Sequence, residues 1–240
     1  VYIIVNNSNF AGELEQDCLQ PIDSTLYYFY FISYGRTTGN FPNTSGLSNL
    51  RYCRTPSNGF SGNLPALGSS PNIFYIELSN NNFTGDIGYN SKGNLQFIFL
   101  NGNNLTGFSD QFGSLPKLRY LYCSSNLFGG TIPNLSTACP SIERFISSNN
   151  NPGFSSYIRG TFVALPKLKL LDLSNNNLSQ TDIDNILYDL VENYQAANRP
   201  GVTVNLLGNT APSSSTDPEI YTGTQAKTIL QGVSWVIQTD

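Results

Sequence analysis

An asparagine that recurs at a nearly constant interval constrains the fold of this chain more than any other feature. Three segments, 73–87, 95–107 and 118–132, share the template apolar-x-x-apolar-x-apolar-x-x-Asn-x-apolar-x-Gly. Extended in both directions, the template places its asparagine position at Ser8, Gly35, Asn58, Asn81, Asn103, Asn126, Asn150, Asn176 and Asn209. Because a repeat of this length is one structural unit that packs on its neighbours, the 240 residues predict an elongated array with one continuous core.

The residues before each asparagine position alternate as they do in a β-strand that buries one face. Positions three and five before it are mostly aliphatic, as in Ile98 and Leu100. In the second repeat this register turns Tyr30 and Ile32 inward. The pattern predicts about nine strands, one in each repeat.

The template resembles the leucine-rich-repeat family, in its extracellular type, whose repeats are roughly 20 to 29 residues long. The resemblance implies an α/β solenoid, a horseshoe with a concave parallel β-sheet and an irregular, turn-rich convex side. It also implies a structural ladder in which short amides satisfy buried backbone groups. The ladder residues are Asn58, Asn81, Asn103, Asn126, Asn150, Asn176 and Asn209. Two residues after the ladder position, a core spine is predicted at Phe10, Phe60, Phe83 and Phe128.

The pattern changes after residue 178. Apolar residues three and four apart, from Ile183 to Tyr194, predict an amphipathic helix over 179–197, followed by a strand at 202–207 and a short helix near 225–231. Repeat arrays need an atypical terminal unit to cover the last apolar layer. We therefore assign 1–178 to the repeat array and 179–240 to the last repeat with its α-helical C-terminal cap, continuous with the array.

The chain begins inside a predicted strand, Val1–Val5, without a capping element. We therefore expect the array to be incomplete at its N-terminus. An uncapped sheet edge tends to be paired or covered, so a neighbouring subunit is expected there.

Side chains four and six positions before each asparagine position are predicted to point out of the sheet. They give the candidate ligand-binding residues Phe29, Phe31, Tyr52, Arg54, Tyr75, Glu77, Phe97, Phe99, Tyr120, Tyr122 and Arg144. Exposed aromatic surface of this extent favours recognition. The alternative is that neighbouring rings stack on one another and stabilise the sheet without a ligand. A polar border suited to sugars is predicted beside the rings, at Ser33, Ser79, Asn101, Ser124, Ser148 and Ser174.

Composition argues against several functions. With 12 basic and 16 acidic residues and a net charge of −4, no basic patch is expected and nucleic acid is not a predicted partner. No apolar run is long enough to span a membrane. Histidine is absent, and neither a phosphate loop nor a metal-ligand cluster occurs, so no enzyme, metal or cofactor is predicted. The solvated side of the terminal helix is predicted to carry Asp182, Asp184, Asp189 and Glu192.

The four cysteines do not predict disulfides. Cys53 and Cys123 occupy inward positions three repeats apart, too far to pair, and Cys139 also falls on an apolar position. Extracellular relatives from plants and animals usually carry clustered cysteines at their caps, which this chain lacks. The repeat sequence itself, for example Asn-Asn-Phe-Thr, generates N-glycosylation sequons whether or not they are used. The six sequons are at Asn6, Asn43, Asn82, Asn104, Asn134 and Asn177.

The leading hypothesis is a non-enzymatic recognition or adhesion protein, extracellular, at the cell surface or on a virion, that binds a glycan or protein through its aromatic face. The string 208–237 resembles the ends of leucine-rich-repeat proteins from bacteria and tailed phages, which points to a bacterial or phage surface structural protein. Gly-Gly-Thr-Ile-Pro at 129–133 instead resembles the plant repeat consensus and implies a receptor ectodomain or inhibitor. A structural assembly subunit of a particle or filament is the third hypothesis.

Overall fold

The computed structural model describes residues 1–6, 11–20, 24–67, 70–90, 92–109, 112–198, 201–215 and 222–240. One parallel sheet of ten short strands, the concave sheet, runs through these residues, with its strands in sequence order. They are Tyr2–Val5, Tyr28–Phe31, Tyr52–Arg54, Tyr75–Glu77, Phe97–Phe99, Tyr120–Tyr122, Arg144–Ile146, Leu170–Asp172, Thr203–Asn205 and Val236–Gln238. The predicted α/β solenoid is confirmed, and the strand beyond the expected nine comes from the C-terminal cap.

Part of the opposite side is more regular than the turn-rich surface that the sequence predicts. Ser61–Asn63, Asn82–Ile87 and Asn104–Phe108 form a three-stranded sheet, and Gly12–Glu13 pairs with Thr37–Thr38. Glycine is needed where this second layer bends. Gly62 has a φ of 74°, and a Cβ there would lie 2.5 Å from Oδ1 of Asn40.

The ladder asparagines join successive repeats through their side-chain amides. Nδ2 of Asn81 donates to the carbonyl oxygens of Thr55, at 2.9 Å, and Leu78, at 3.0 Å. Its Oδ1 accepts from the backbone N–H of Phe60 at 3.2 Å. Equivalent pairs of carbonyl bonds are made by Asn58, Asn103, Asn126, Asn176 and Asn209. At Asn150 the amide binds its own repeat, at Ser147, and its Oδ1 accepts from the N–H of Asn126.

The interior is one continuous hydrophobic core between the two sides of the solenoid. Phe60, Phe83 and Phe128 are fully buried, as the spine predicts, whereas Phe10 and Ser8 lie outside the described residues. The thiols of Cys53, Cys123 and Cys139 are buried as predicted, and Cys18 is exposed. Burial raises the pKa of each of the three core thiols to about 12.

The predicted register of the second strand is wrong by one residue. The sheet aligns Tyr28 with Tyr52, so the strand lies one residue earlier than the register read from Gly35. Phe29 and Phe31, predicted to face a ligand, are 2 % and 5 % exposed and belong to the core. A shift of one residue exchanges the two faces of a strand. The outward side chains of this strand are Tyr28 and Tyr30.

The turn after this strand explains the error. Tyr34 and Gly35 both have positive φ angles, 52° and 78°, whereas the corresponding turn of the next repeat has one such residue, Ser57. The turn therefore accommodates one extra residue. The template is correct at Gly39, beyond the turn, and fails when it is extended back through it.

Two helices close the C-terminal end, as predicted. Gln180–Ala197 begins at Ser179, which forms a capping box with Asp182, and Gly223–Gly232 packs against it. A single turn, Leu135–Ala138, lies within the array. Among the described residues, no helix has the length and apolar character needed to cross a membrane.

The acidic residues of the terminal helix are not simply its solvated side, which corrects the prediction. Asp189 is fully buried and accepts from the hydroxyl of Tyr157 and, at 2.7 Å, from the backbone N–H of Gly160. Asp182 is 9 % exposed and accepts from the N–H of Tyr157 at 2.8 Å. The helix covers the loop around Tyr157, whose backbone donors need acceptors once they leave water. Of this group, Glu192 is exposed.

We expect Asn126→Ala to lower the free energy of unfolding by about 2–3 kcal/mol, because it leaves the buried N–H of Leu105 and two carbonyl oxygens without a side-chain partner. Asn82→Ala, at an exposed position beside the ladder residue Asn81, is the control and should change it by less than about 0.5 kcal/mol. Urea unfolding followed by circular dichroism measures both. Equal midpoints for the two variants would contradict a stabilising ladder.

Thiol accessibility gives an independent test of the core. In the native protein we expect one of the four cysteines, Cys18, to react with a thiol reagent, and all four after denaturation. Burial also raises the pKa of Cys18, so its reaction should be slower than that of a free thiol. Rapid modification of a second native thiol would show that the repeat register is wrong.

Candidate functional site

Two rows of side chains project from the concave sheet, and together they form the concave face. Parallel pairing without offsets aligns equivalent residues of successive strands. The first row is Tyr2, Tyr28, Tyr52, Tyr75, Phe97, Tyr120, Arg144, Leu170, Thr203 and Val236. The second row is Ile4, Tyr30, Arg54, Glu77, Phe99, Tyr122, Ile146, Asp172, Asn205 and Gln238. Except for Phe29 and Phe31, the predicted ligand-binding residues all lie in these rows.

The first six members of the first row form a continuous aromatic strip. Ring centroids of Tyr75 and Phe97 are 5.8 Å apart, and those of Phe97 and Tyr120 are 5.1 Å apart in an edge-to-face arrangement. From Tyr28 onward the rings are half-buried, while Tyr2, at the edge strand, is 66 % exposed. The rings therefore support one another and still present apolar surface to solvent, so the two interpretations made from the sequence are compatible.

A third row borders the concave face and was missed in the sequence. Its members precede the first row by one residue: Tyr27, Arg51, Phe74, Gln96, Arg119, Glu143 and Lys169. We call it the lateral row. Arg119 lies over the ring of Phe97, 5.8 Å from its centroid, and Arg51 lies over Tyr27. The signal was present in the sequence, because six of these residues, from Arg51 to Lys169, lie seven positions before a ladder asparagine.

Arg54 organises the polar part of the concave face. Its Nε donates to Oε2 of Glu77 at 2.8 Å, and a terminal nitrogen donates to the hydroxyl of Tyr28 at 3.3 Å. The guanidinium also lies over the rings of Tyr30 and Tyr75. Burial and the Glu77 carboxylate raise the pKa of Tyr75 to about 12, so its hydroxyl stays protonated and donates to Glu77.

Glu143 bridges two cations of the lateral row. Its Oε1 accepts from Nε of Arg119 at 2.6 Å, and its Oε2 accepts from Nζ of Lys169 at 2.8 Å. The hydrogen bond from Arg119, followed by that from Lys169, lowers the pKa of this nearly buried carboxyl to about 2.

The predicted polar border is largely occupied by internal contacts. Ser33, Ser79, Ser148 and Ser174 are buried. The hydroxyl of Ser33 donates to Asn58, and that of Ser174 donates to Asp172. These hydroxyls serve the turns rather than an open surface. Among the described residues, no cluster of three His, Cys, Asp or Glu side chains could hold a metal ion.

Comparison with known proteins agrees with this geometry. The family model Leucine Rich Repeat matches residues 117–139 and 167–188. No curated protein matches the chain significantly. Among solved structures, the Arabidopsis receptor kinase HAESA, in complex with the peptide hormone IDA and the co-receptor SERK1, aligns over 100 % of this chain and 38 % of its own, with 23 % identity and a TM-score of 0.72.

A TDR receptor structure aligns over 84 % of this chain and 33 % of its own, with 26 % identity and a TM-score of 0.64. The leucine-rich repeat domain of APL1B aligns over 98 % of this chain and 62 % of its own, with 20 % identity and a TM-score of 0.67. The chain thus spans about a third of the two receptor structures.

The parallel solenoid, with its ladder and outward rows, defines the class of repeat proteins that present an extended sheet surface. Within that class, two stretches of the chain match the leucine-rich-repeat family model, and the whole solenoid has the fold of the solved leucine-rich-repeat structures it resembles.

The lowered pKa of Glu143 predicts a pH-dependent stability. Its stabilising contribution is fully present above the unfolded pKa, near 4.5, and is lost as the pH falls from there toward the folded value of about 2. Glu143→Gln should therefore lower the free energy of unfolding by about 2 kcal/mol at neutral pH and by much less near pH 2. Denaturant unfolding at a series of pH values measures the difference.

The matched control for this prediction is Glu15→Gln, at an exposed carboxylate that forms no ion pair within the described part of the chain. A gap between Glu143→Gln and the native protein that stays constant from neutral pH to pH 2 would contradict the ion-pair geometry.

Proposed function

We propose that the chain is a non-enzymatic, extracellular recognition protein that binds an extended segment of a partner protein on its concave face. The observation that carries the proposal is the aromatic strip from Tyr2 to Tyr120, which crosses six consecutive strands. Apolar surface gathered in one place on a protein marks an interaction site more often than scattered apolar residues do.

Ring packing makes this surface suitable for binding. Each half-buried ring is held by its neighbours, as Phe97 is by Tyr75 and Tyr120. Rigid side chains lose little conformational entropy when a ligand covers them, so more of the contact energy appears as affinity. Aromatic and arginine side chains are also the types that dominate binding energy at protein interfaces.

A protein segment fits the face better than a glycan does. The sequence left a glycan and a protein as candidate ligands, with the serine border as the feature suited to sugars. Hydroxyls of that border are engaged in turns, as that of Ser33 is with Asn58. The similar fold of HAESA was solved with a peptide hormone bound, which supports the same class of ligand here. Binding of a protein segment is compatible with each type of protein that the sequence suggested: a receptor ectodomain or inhibitor, a bacterial adhesin, a virion component or an assembly subunit.

Selection from a displayed peptide library tests the proposal. We expect the native chain to enrich a set of peptides from the library. A variant that carries Tyr75→Ala, Phe97→Ala, Tyr120→Ala and Tyr122→Ala should bind these peptides at least about tenfold more weakly, because binding energy concentrates in aromatic anchors. Affinities of the selected peptides are measured by calorimetry. A glycan array run in parallel separates the two ligand classes.

The multiple variant also removes ring contacts within the sheet, so a milder change is included. Tyr122→Ala alone removes a ring that contacts Phe99 and Tyr120. Both variants are compared at equal folded fraction with Thr84→Ala, an exposed change on the opposite side. Undiminished binding by both aromatic variants would refute the concave face as the site, and selective glycan binding without peptide binding would refute the ligand class.

A further inference from the structure

The charges of this chain are segregated. The concave strands and the three residues before each of them, hereafter the binding region, contain seven of the 12 Lys and Arg residues and three of the 16 Asp and Glu residues, a net charge of +4. The other five cations and 13 acids give −8. An acidic protein thus presents a basic surface at its candidate site, which corrects the expectation from composition that it has no basic patch.

Four cations of this surface form no ion pair within the described part of the chain. One of them, Arg51, lies over the ring of Tyr27, apart from the other three. Nζ of Lys117 donates to Oδ1 of Asn94 at 2.9 Å, and Nζ of Lys167 lies 3.5 Å from Oγ of Ser141. Arg144 lies over the ring of Tyr120. Neutral partners hold these side chains in place without cancelling their charge.

Lys117, Arg144 and Lys167 belong to three adjacent repeats, and Lys117 and Lys167 lie beside the Glu143 bridge. A cavity of about 180 Å³ lies there, lined by Gln96, Lys117, Arg119, Ser141, Glu143 and Lys167. Three of the lining residues are cationic and one is anionic, so the cavity keeps an excess of positive charge. Amide and hydroxyl groups complete a lining that suits a carboxylate.

We propose that the partner segment bound on the concave face is acidic, with carboxylates seated at Lys117, Arg144 and Lys167 and aromatic or apolar side chains along the aromatic strip. The inference rests on the proposed function and names the chemistry of its ligand. Opposite charge on the two surfaces would speed association and fix the direction in which the segment lies.

The three acids of the binding region favour a peptide over a uniform polyanion. Glu77, Glu143 and Asp172 lie at the fourth, seventh and eighth concave strands, close to the cations. A polyuronate or nucleic acid carries a negative charge on every unit and would bring some of them against these carboxylates. A peptide can place its acids opposite the cations and neutral residues elsewhere.

Three synthetic peptides of equal length test the proposal. One alternates Glu with Tyr, the second alternates Gln with Tyr, and the third alternates Lys with Tyr. We expect the native protein to bind the Glu–Tyr peptide at least about tenfold more tightly than the Gln–Tyr peptide at low ionic strength, with the Lys–Tyr peptide weakest. Added salt should reduce the preference, because the cations are solvent-accessible. Fluorescence anisotropy measures each affinity.

A charge-matched pair of double variants locates the effect. Lys117→Gln with Lys167→Gln should weaken binding of the Glu–Tyr peptide about tenfold and leave binding of the Gln–Tyr peptide unchanged. Arg36→Gln with Lys227→Gln removes the same charge outside the binding region and should change neither affinity. Neither double variant alters a residue of the aromatic strip.

Each contrary result has a distinct meaning. Equal binding of the Glu–Tyr and Gln–Tyr peptides, or equal effects of the two double variants, would overturn the acidic ligand and leave the proposed function standing. Stronger competition by polygalacturonate or a single-stranded oligonucleotide than by the Glu–Tyr peptide would overturn the peptide as occupant. Failure of all three peptides to bind, together with failure of the library selection, would overturn the proposed function itself.

Discussion

The hydrogen bonds of the ladder amides hold the successive repeats in register, and the rest of the structure depends on them. One amide, such as that of Asn103, binds a carbonyl oxygen in its own repeat, at Leu100, and one in the preceding repeat, at Leu78. Tight turns inside a core leave such groups without water, so an unpaired one would cost about 1–3 kcal/mol. A single side chain therefore closes a turn and fixes the next repeat against it.

In-register stacking turns one sequence position into one row of the surface. Tyr52, Tyr75 and Phe97 occupy the same position in three repeats, and their rings meet because the strands pair without an offset. The lateral row follows from the same rule, which brings Glu143 between Arg119 and Lys169. The side chains of the concave face and of the lateral row therefore lie at fixed sequence distances from the ladder asparagine.

This rule also explains what could be read from the sequence. Rows around Asn81, Asn103 and Asn126 were predicted correctly because nothing interrupts the period, whereas the turn at Tyr34 and Gly35 takes an extra residue that no periodic template contains. The burial of Asp189 was missed for another reason. Its acceptor role depends on donors of a loop far away in the sequence, among them the N–H of Gly160. Periodicity predicts contacts between equivalent positions of successive repeats, and it does not predict contacts that occur once in the chain.

The cations of the binding region differ in whether a carboxylate of the same surface pairs with them. Arg54 and Arg119 are fixed by carboxylates of the face itself, Glu77 and Glu143, so much of their charge is compensated and their main contribution is to orient rings. Lys117 and Lys167 have neutral partners, and their charge is available to a ligand. A chain with a net charge of −4 and few charged residues gains little solubility from cations gathered on one surface. Their concentration beside the aromatic strip is better explained by recognition, because attraction to an acidic segment would bring it to the rings that hold it.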